Sequence, residues 1–310
     1  MAAPRPFRFG AKATKAGSAK EWADIARQAE DLGYVSLQID DHFGNQLAPI
    51  PAIMAAAAVT TNLKVGTLVA GVDFRNPVVL AKEAATIDLL SEGRFMLGLG
   101  AGWLKDDYAI AGIDQAAADI RIGRLSEAVD IMRGLWGEGK FSFDGDHFTV
   151  AEVDGKPAPV SDIPILIGGG GQKILSLAAQ KADIVGVNPK IVARSINPES
   201  MATAAADVVD QKIGWVREAA GDRIDDIELE LQVFVTKVTD DPMSVAEQLA
   251  PAFGLPPEVV LQAPYFQIGT IDQIAENLQG LRDRWGISYI AFQQDATAAM
   301  APVVAKLAGT

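Results

Sequence analysis

An alternation constrains this chain more than any other feature. Short runs rich in β-branched and aromatic residues are each followed by a stretch with helical apolar spacing, which marks a parallel α/β fold. Strands are expected at residues 7–10, 34–39, 63–69, 94–99, 163–167, 184–187, 227–235 and 287–292. Helices are expected at 19–32, 53–60 and 78–90, and another carries Ile122, Leu125, Val129, Met132 and Trp136 on one stripe. Ser18 and Glu21 have the spacing of a capping box, Trp22, Ile25, Ala26 and Ala29 share a face, and Gly33 ends that helix. Thr270 and Gln273 repeat the capping spacing before Ile274, Leu278, Leu281 and Trp285.

Two segments break the alternation. Between residues 141 and 150 the period switches to two around Asp144-Gly145-Asp146, so a β-hairpin is expected there. Residues 240–267 carry Pro242, Pro251, Pro256, Pro257 and Pro264 and are too long for a simple connection, which leaves a lid or a packed decoration. Eight strands alternating with helices favour closure over an open doubly wound sheet. The expected architecture is α/β, a (β/α)8 TIM barrel with inserted hairpin and lid segments, as one domain over residues 1–310.

Composition narrows the partners. Among 310 residues 49% are hydrophobic and the net charge is −13, enough for a large core and unsuited to phosphate backbones or anionic membrane surfaces. Neither nucleic acid nor a membrane is expected as a partner. Cysteine is absent, so disulfides and thiolate chemistry are excluded. Residues 1–10 lack an apolar leader core, and the longest uncharged apolar stretch, 47–59, contains two prolines and is too short to span a bilayer. A cytoplasmic protein is expected.

Barrel ligands sit where strands end and helices begin. Asp40-Asp41-His42-Phe43 follows the second strand, and His42 is one of only two histidines. It is a candidate for proton transfer, or else a rim residue beside a capping Asp41. His147 falls inside the hairpin and reads as structural. Gly168, Gly169, Gly170 and Gly171 stand between the fifth strand and a helix, which suits either close approach to a phosphate or a tight turn, with Lys173 nearby. Gly98-Leu99-Gly100-Ala101-Gly102-Trp103 leaves room for a flat ring, and Trp103 either stacks or packs. Gly66 to Gly71 either backs such a ring or is ordinary core. Lys190 and Arg194 follow the sixth strand and read as surface charge. No zinc, calcium, Walker or nucleophile-elbow motif occurs, so no metal site or hydrolase chemistry is expected.

Together these segments resemble the luciferase-like family. Asp41-His42-Phe43, Gly66-Thr67 with Asn76-Pro77, Ser91-Glu92-Gly93-Arg94-Phe95 leading into Gly98 to Trp103, the turn at Gly168 to Gly171, and the stretch from Gly269-Thr270 to Gly286-Ile287 carry the resemblance. It covers nearly the whole chain and is closest to the oxidoreductases dependent on coenzyme F420, a 5-deazaflavin. The resemblance implies that His42 is the proton donor or acceptor and that Asp41 contacts the ring system. It implies a non-proline cis peptide at Leu68–Val69 backing the ring, a phosphate held by Gly168 to Gly171, and Ala101, Gly102 and Trp103 along the cofactor path. Sugar-phosphate dehydrogenases of the family carry a Glu at the position of Trp103, which argues against that substrate class. The alternatives within the fold are an FMN-dependent monooxygenase and a flavin-binding barrel without catalysis. Relatives in the family are often dimers, so a homodimer acting on a small-molecule substrate is expected.

Overall fold

The computed structural model describes residues 4–193 and 197–310; Arg194 lies outside the described residues. Eight parallel strands form the barrel: β1 (Arg8–Lys12), β2 (Ser36–Ile39), β3 (Lys64–Thr67, resumed at Ala70–Gly71), β4 (Phe95–Gly100), β5 (Ile165–Gly169), β6 (Ile184–Val187), β7 (Glu228–Gln232) and β8 (Ile287–Gln293). Each pairs with the next, and β1 pairs with β8, Phe9 facing Ile290, so the sheet closes on itself. β3 also pairs with β4 on both sides of its interruption, Val65 with Phe95 and Ala70 with Leu99. The interruption is the Leu68–Val69 peptide, which is cis, at the position the resemblance implied.

The helices pack outside. They are α1 (Ala19–Asp31), α2 (Pro49–Ala57), α3 (Pro77–Leu90), α4 (Lys105–Ala111), α5 (Ala118–Trp136), α6 (Gln172–Lys181), α7 (Pro198–Ala202), α8 (Ala206–Ala220), α9 (Pro242–Phe253), α10 (Pro257–Gln262), α11 (Ile271–Trp285) and α12 (Thr297–Leu307). In α1, Trp22 turns inward and donates from its indole to the Ala52 carbonyl at 2.8 Å, locking α1 against α2. Gly33, at φ +83°, follows α1 as expected. Thr270 and Gln273 form a complete capping box on α11.

Several expectations shift. Ser18 caps α1, but Glu21 reaches past it to the Gly17 amide at 2.6 Å, so the box is not closed on Ser18. The helix expected at 53–60 starts at Pro49, because proline is well placed in a first turn where no amide partner is needed. The helix after β4 is two helices. The seventh strand stops at Gln232. The chain then runs outside the barrel, where Val235–Val238 pairs in parallel with Phe266–Gly269, and α9 and α10 fill the segment between them. Buried Val260, Tyr265 and Phe266 attach this excursion to the core. The hairpin is present as Lys140–Asp144 against Thr149–Asp154. Glu127 of α5 accepts from the amides of Asp146, His147 and Phe148 at 2.8–3.0 Å and holds its turn to the barrel.

The Ser91–Arg94 motif has a structural cause. Glu92 and Gly93 take positive φ and end α3, and the Arg94 side chain then donates to the carbonyls of Ser91, Leu63 and Ala57, each at 2.9 Å. One guanidinium joins the end of α3, the start of β3 and the end of α2. Among the described residues, no helix is long and apolar enough to cross a membrane.

Inside the barrel the two sides differ. Leu68, Met96, Leu166 and Ile184 form an apolar wall with Tyr289 and Ala291. Opposite them the interior is polar. Near the strand starts Arg8 pairs with Glu228 at 2.6 Å and lies over the Tyr289 ring. Higher up are Lys12, Ser36, Gln38 and Glu230, all buried. So many inward polar side chains on β1, β2 and β7 exceed what a purely structural core needs, and they lie directly under the mouth.

Candidate active site

His42 stands just past the C-terminal end of β2, and two neighbours orient it. Its Nδ1 lies 2.6 Å from Asp107 Oδ2, and the other oxygen of Asp107 accepts from the Phe43 amide at 3.0 Å. The Asp107 side chain is almost fully buried, while 26% of the His42 side chain is exposed. A carboxylate only accepts, so Nδ1 carries the hydrogen and Nε2 is left as the working nitrogen. The indole of Trp103 meets the imidazole edge-on, with centroids 5.6 Å apart and planes at 87°. Asp40 approaches Nε2 at 3.9 Å and is itself paired with Lys12 at 2.7 Å.

Asp107 comes from α4, the short helix that a plain alternation of strands and helices does not announce. Its signal is Lys105-Asp106-Asp107-Tyr108, acidic residues opening a helix right after Trp103. α4 places Tyr108 in the core, where its hydroxyl donates to Asp73 at 3.0 Å, and Phe74 bridges its ring to that of Phe43. The helix is thus fixed on the same surface that carries His42.

Asp41 faces the other way. It is buried, is held by both terminal nitrogens of Arg75, and accepts from the Gly71 amide at 3.1 Å. That contact ties the end of β2 to the resumed part of β3, immediately after the cis Leu68–Val69 bond. Thr67 secures the near side of the bulge, donating to the Gly98 carbonyl at 2.6 Å and accepting from the Gly98 amide at 2.9 Å. Leu68 points into the barrel, and Val69 lies within 3.6 Å of where a side chain on Gly168 would begin. The bulge, the glycine turn and His42 therefore line one mouth.

Gly168 and Gly169 end β5, and Gly171 caps α6. Gly170 packs on backbone: a Cβ there would stand 2.4 Å from the Pro189 carbonyl carbon and 2.5 Å from the Asn188 oxygen. Lys212 holds that facing loop, its Nζ donating to the carbonyls of Asn188 at 2.8 Å and Thr203 at 2.7 Å; burial pushes its ammonium down to about 7. A Cβ on Gly171 would meet nothing within 4 Å. The turn is thus packed at Gly170 and open at Gly171, at the start of α6, whose first amides have no partner within the helix. Lys173, by contrast, is paired with Asp119 at 2.8 Å on the surface, and Lys190 is exposed. Gly170→Ala is expected to lower stability by about 1–3 kcal/mol, the usual range for overpacking, while Gly171→Ala changes it little. Denaturant midpoints of the two variants decide this; equal midpoints would show that the turn is not pressed on Pro189.

Ala101 and Gly102 follow β4. The Ala101 carbonyl accepts from Arg121 Nε at 3.0 Å, and Gly102, at φ +74°, turns the chain over the Tyr108 hydroxyl. Trp103 is thereby directed at His42. His147 lies in the hairpin against Gly123 of α5, outside this group.

Below the mouth, Glu230 is fully buried and neither carboxylate oxygen has a hydrogen-bond partner. Burial pushes its carboxyl from an ordinary 4.5 up to about 8, with Lys12 opposing and Glu228 adding to the rise. A carboxyl raised in the folded state contributes stability that is complete below pH 4.5 and is lost progressively as pH rises from there to about 8. The stability difference between the wild type and Glu230→Gln is therefore expected to fall as pH rises from 5 to 8, because the substitution removes the contribution of this group alone. One proton bound by the folded state alone makes that fall about 1.4 kcal/mol for each pH step of one. Parallel midpoints over that window would count against a protonated Glu230.

Comparisons with known proteins give the family and the fold. The family model for luciferase-like monooxygenases matches residues 5–285. An F420-dependent glucose-6-phosphate dehydrogenase of Amycolatopsis mediterranei is 30% identical over 172 residues, 53% of this chain and 52% of that protein. The enzyme of the same name from Nakamurella multipartita is 30% identical over 247 residues, 76% of this chain and 70% of that protein. Four of the curated relatives are matched over 52–56% of their length, so the chain spans about half of them. Among solved structures, an F420-dependent secondary alcohol dehydrogenase in complex with an F420-acetone adduct superposes with TM-score 0.77 over 97% of this chain and 98% of that one. Its identity to this chain is 18%, so the likeness is one of fold.

Proposed function

The chain belongs to the luciferase-like monooxygenase family, and from that premise we propose that it is a coenzyme F420-dependent oxidoreductase acting on a small organic substrate. The observation that carries the reading is the His42–Asp107 pair, an imidazole held by its Nδ1 so that Nε2 faces the mouth beside the cis bulge. The names of the curated relatives support the deazaflavin as cofactor. When bound, the deazaflavin supplies a carbon that takes or gives a hydride.

The chain's residues do the rest. Gly168 to Gly171 and the first amides of α6 hold the phosphate. Leu68 and Val69 back the ring, and Ala101, Gly102 and Trp103 bound its path. Asp41 acts on the ring through the bulge it anchors at Gly71. His42 Nε2 takes the proton from a substrate hydroxyl as the hydride leaves, or returns it in the reverse direction. The indole of Trp103 gives the substrate side of His42 an apolar wall. Trp103 stands where the sugar-phosphate dehydrogenases of the family carry a Glu, which argues for a substrate class other than the sugar phosphates for which the curated relatives are named. The proposal includes a homodimer in the cytoplasm, without nucleic acid or membrane partners.

Coenzyme F420 is expected to bind more tightly than FMN in a fluorescence titration of the purified protein. FMN binding at least as tightly would favour the monooxygenase reading of the same fold. A barrel that binds either cofactor and turns over no substrate in a screen of alcohols and carbonyls would favour the binding protein.

A further inference from the structure

The proposed chemistry leaves one polar residue at the mouth without a task. Along β6 the side chains alternate, and Gly186 faces the barrel interior. A Cβ there would stand 2.9 Å from Glu230 Oε2 and 3.5 Å from Cδ2 of Leu166, which belongs to the inner wall. Asn188, two residues on, falls on the same face. Pro189 after it favours extended backbone at Asn188, so the alternation runs past the end of the strand. The Asn188 amide N–H donates to the Gly169 carbonyl at 2.8 Å, and its carbonyl accepts from Lys212 Nζ at 2.8 Å. With Pro189 packed against Gly170 as well, the backbone of Asn188 is held from three sides.

The side chain is satisfied less well. Its Nδ2 reaches over Gly168, 3.3 Å from where a Cβ would begin, and its Oδ1 is buried without a hydrogen-bond partner. A folded protein leaves few such acceptors, and one at a ligand mouth marks a contact that the ligand completes. Val69 approaches the same point of Gly168, its Cγ1 at 3.6 Å. The Asn188 amide therefore stands where the Leu68–Val69 bulge meets the glycine turn.

Phosphorylated flavins and deazaflavins share one construction: a flat ring, a chain of hydroxylated carbons, and a phosphate at its end. With the ring on the bulge and the phosphate at the turn, the hydroxylated chain has to cross the junction at Gly168. We propose that Asn188 binds that chain, its Oδ1 accepting from one hydroxyl while its Nδ2 donates to another. The proposal rests on the reading of the bulge as ring support and the turn as phosphate site. The chemistry of the two partners matches. A hydroxyl both donates and accepts, so a side-chain amide finds a partner among neighbouring hydroxyls in either orientation. A carboxylate at this position could only accept, and it would face the phosphate with like charge.

Binding to the purified protein tests this without a turnover assay. Fluorescence titrations compare three ligands: coenzyme F420; 5-deazariboflavin, which keeps the hydroxylated chain and lacks the phosphate; and 5-deazalumiflavin, which keeps the ring alone. Asn188→Ala is expected to weaken the first two equally, by about 3–10-fold, the worth of one or so hydrogen bonds, and to leave the third unchanged. Its denaturation midpoint should not fall, because Oδ1 has no partner to lose. Asn188→Leu keeps the branched shape without the polar atoms and should give the same pattern; it covers the case in which the smaller side chain disturbs the turn. A loss confined to F420 would place the effect on the phosphate, an equal loss for all three would place it on the ring, and unchanged affinities would leave Asn188 without a contact. Each of these overturns the proposal, as does a lower midpoint in both variants, which is the mark of a purely structural role. Wild type that prefers FMN to F420 overturns the cofactor reading and leaves this one to be read from FMN, riboflavin and lumiflavin in the same way. Wild type that binds none of these ligands overturns both.

Discussion

His42→Ala is expected to lower turnover by about 10²–10⁴-fold, the usual contribution of a positioned general acid or base, while cofactor affinity changes little. The separation follows from where the groups sit. The proposed anion cradle is built from β5, α6 and the loop after β6, and the proposed ring support from the bulge of β3. His42 belongs to neither. It touches Asp107 and Trp103, so its removal leaves the Gly168–Gly171 turn and the Leu68–Val69 bulge as they are. His147→Ala is the matched control: it also removes an imidazole, from an exposed hairpin position. Turnover needs a substrate found by screening, and the cofactor titration needs none. Wild-type turnover in His42→Ala together with its loss in His147→Ala would move the chemistry to the hairpin.

How much of this was legible in the sequence depends on what each signal encodes. Helix ends and the hairpin turn were legible because Gly33, Asp144-Gly145 and Thr270 state local conformation through chemistry of their own. The mouth residues His42 and Gly168 to Gly171 were legible because the barrel puts functional groups at strand C-termini, and two histidines leave little to choose from. The cis bond at Leu68–Val69 was legible only by resemblance, since neither residue carries a local reason for it. Three things stayed hidden. The break between α4 and α5 has no strong punctuation other than Gly112, and so Asp107 went unseen. Arg75 and Asp41 are far apart in sequence, and nothing local announces that one clamps the other. The inward acids of β7 had a period-two signal, Glu228-Leu229-Glu230-Leu231-Gln232, in which the leucines face the helices and the charges face the barrel. A strand search that scores apolar residues alone reads such a pattern as an ordinary amphipathic strand, with the polar face outward. In a closed barrel the inner face is the one left for polar groups, because the outer face must bury against helices.

Asp107→Asn is expected to lower turnover by roughly the same 10²–10⁴-fold while leaving the imidazole in place, and the reason is the tautomer. The comparison case is the protease triad, in which the corresponding Asp→Asn change costs about 10⁴-fold through the wrong tautomer. Asp107 accepts from two donors at once, the Nδ1–H of His42 and the amide of Phe43. An amide has one oxygen and one NH2 group to offer those two positions. If the oxygen keeps the Phe43 amide, the NH2 faces Nδ1, which must then accept, and the hydrogen moves to Nε2. The working nitrogen can no longer take a proton. If the oxygen turns to Nδ1 instead, the NH2 meets the Phe43 N–H, and two donors are left facing each other at a buried site, which costs about 1–3 kcal/mol. Either orientation disturbs what the carboxylate satisfied. The two outcomes differ in the 15N spectrum, where the protonated ring nitrogen identifies itself: the first shows Nε2–H, and the second keeps Nδ1–H with lower thermal stability. Cofactor affinity should hold in both, since α4 makes no part of the cradle. Turnover within a few-fold of wild type in a variant whose spectrum shows Nε2–H would mean that the tautomer of His42 does not govern the reaction, and Asp107 would then serve only to fix the Phe43 backbone.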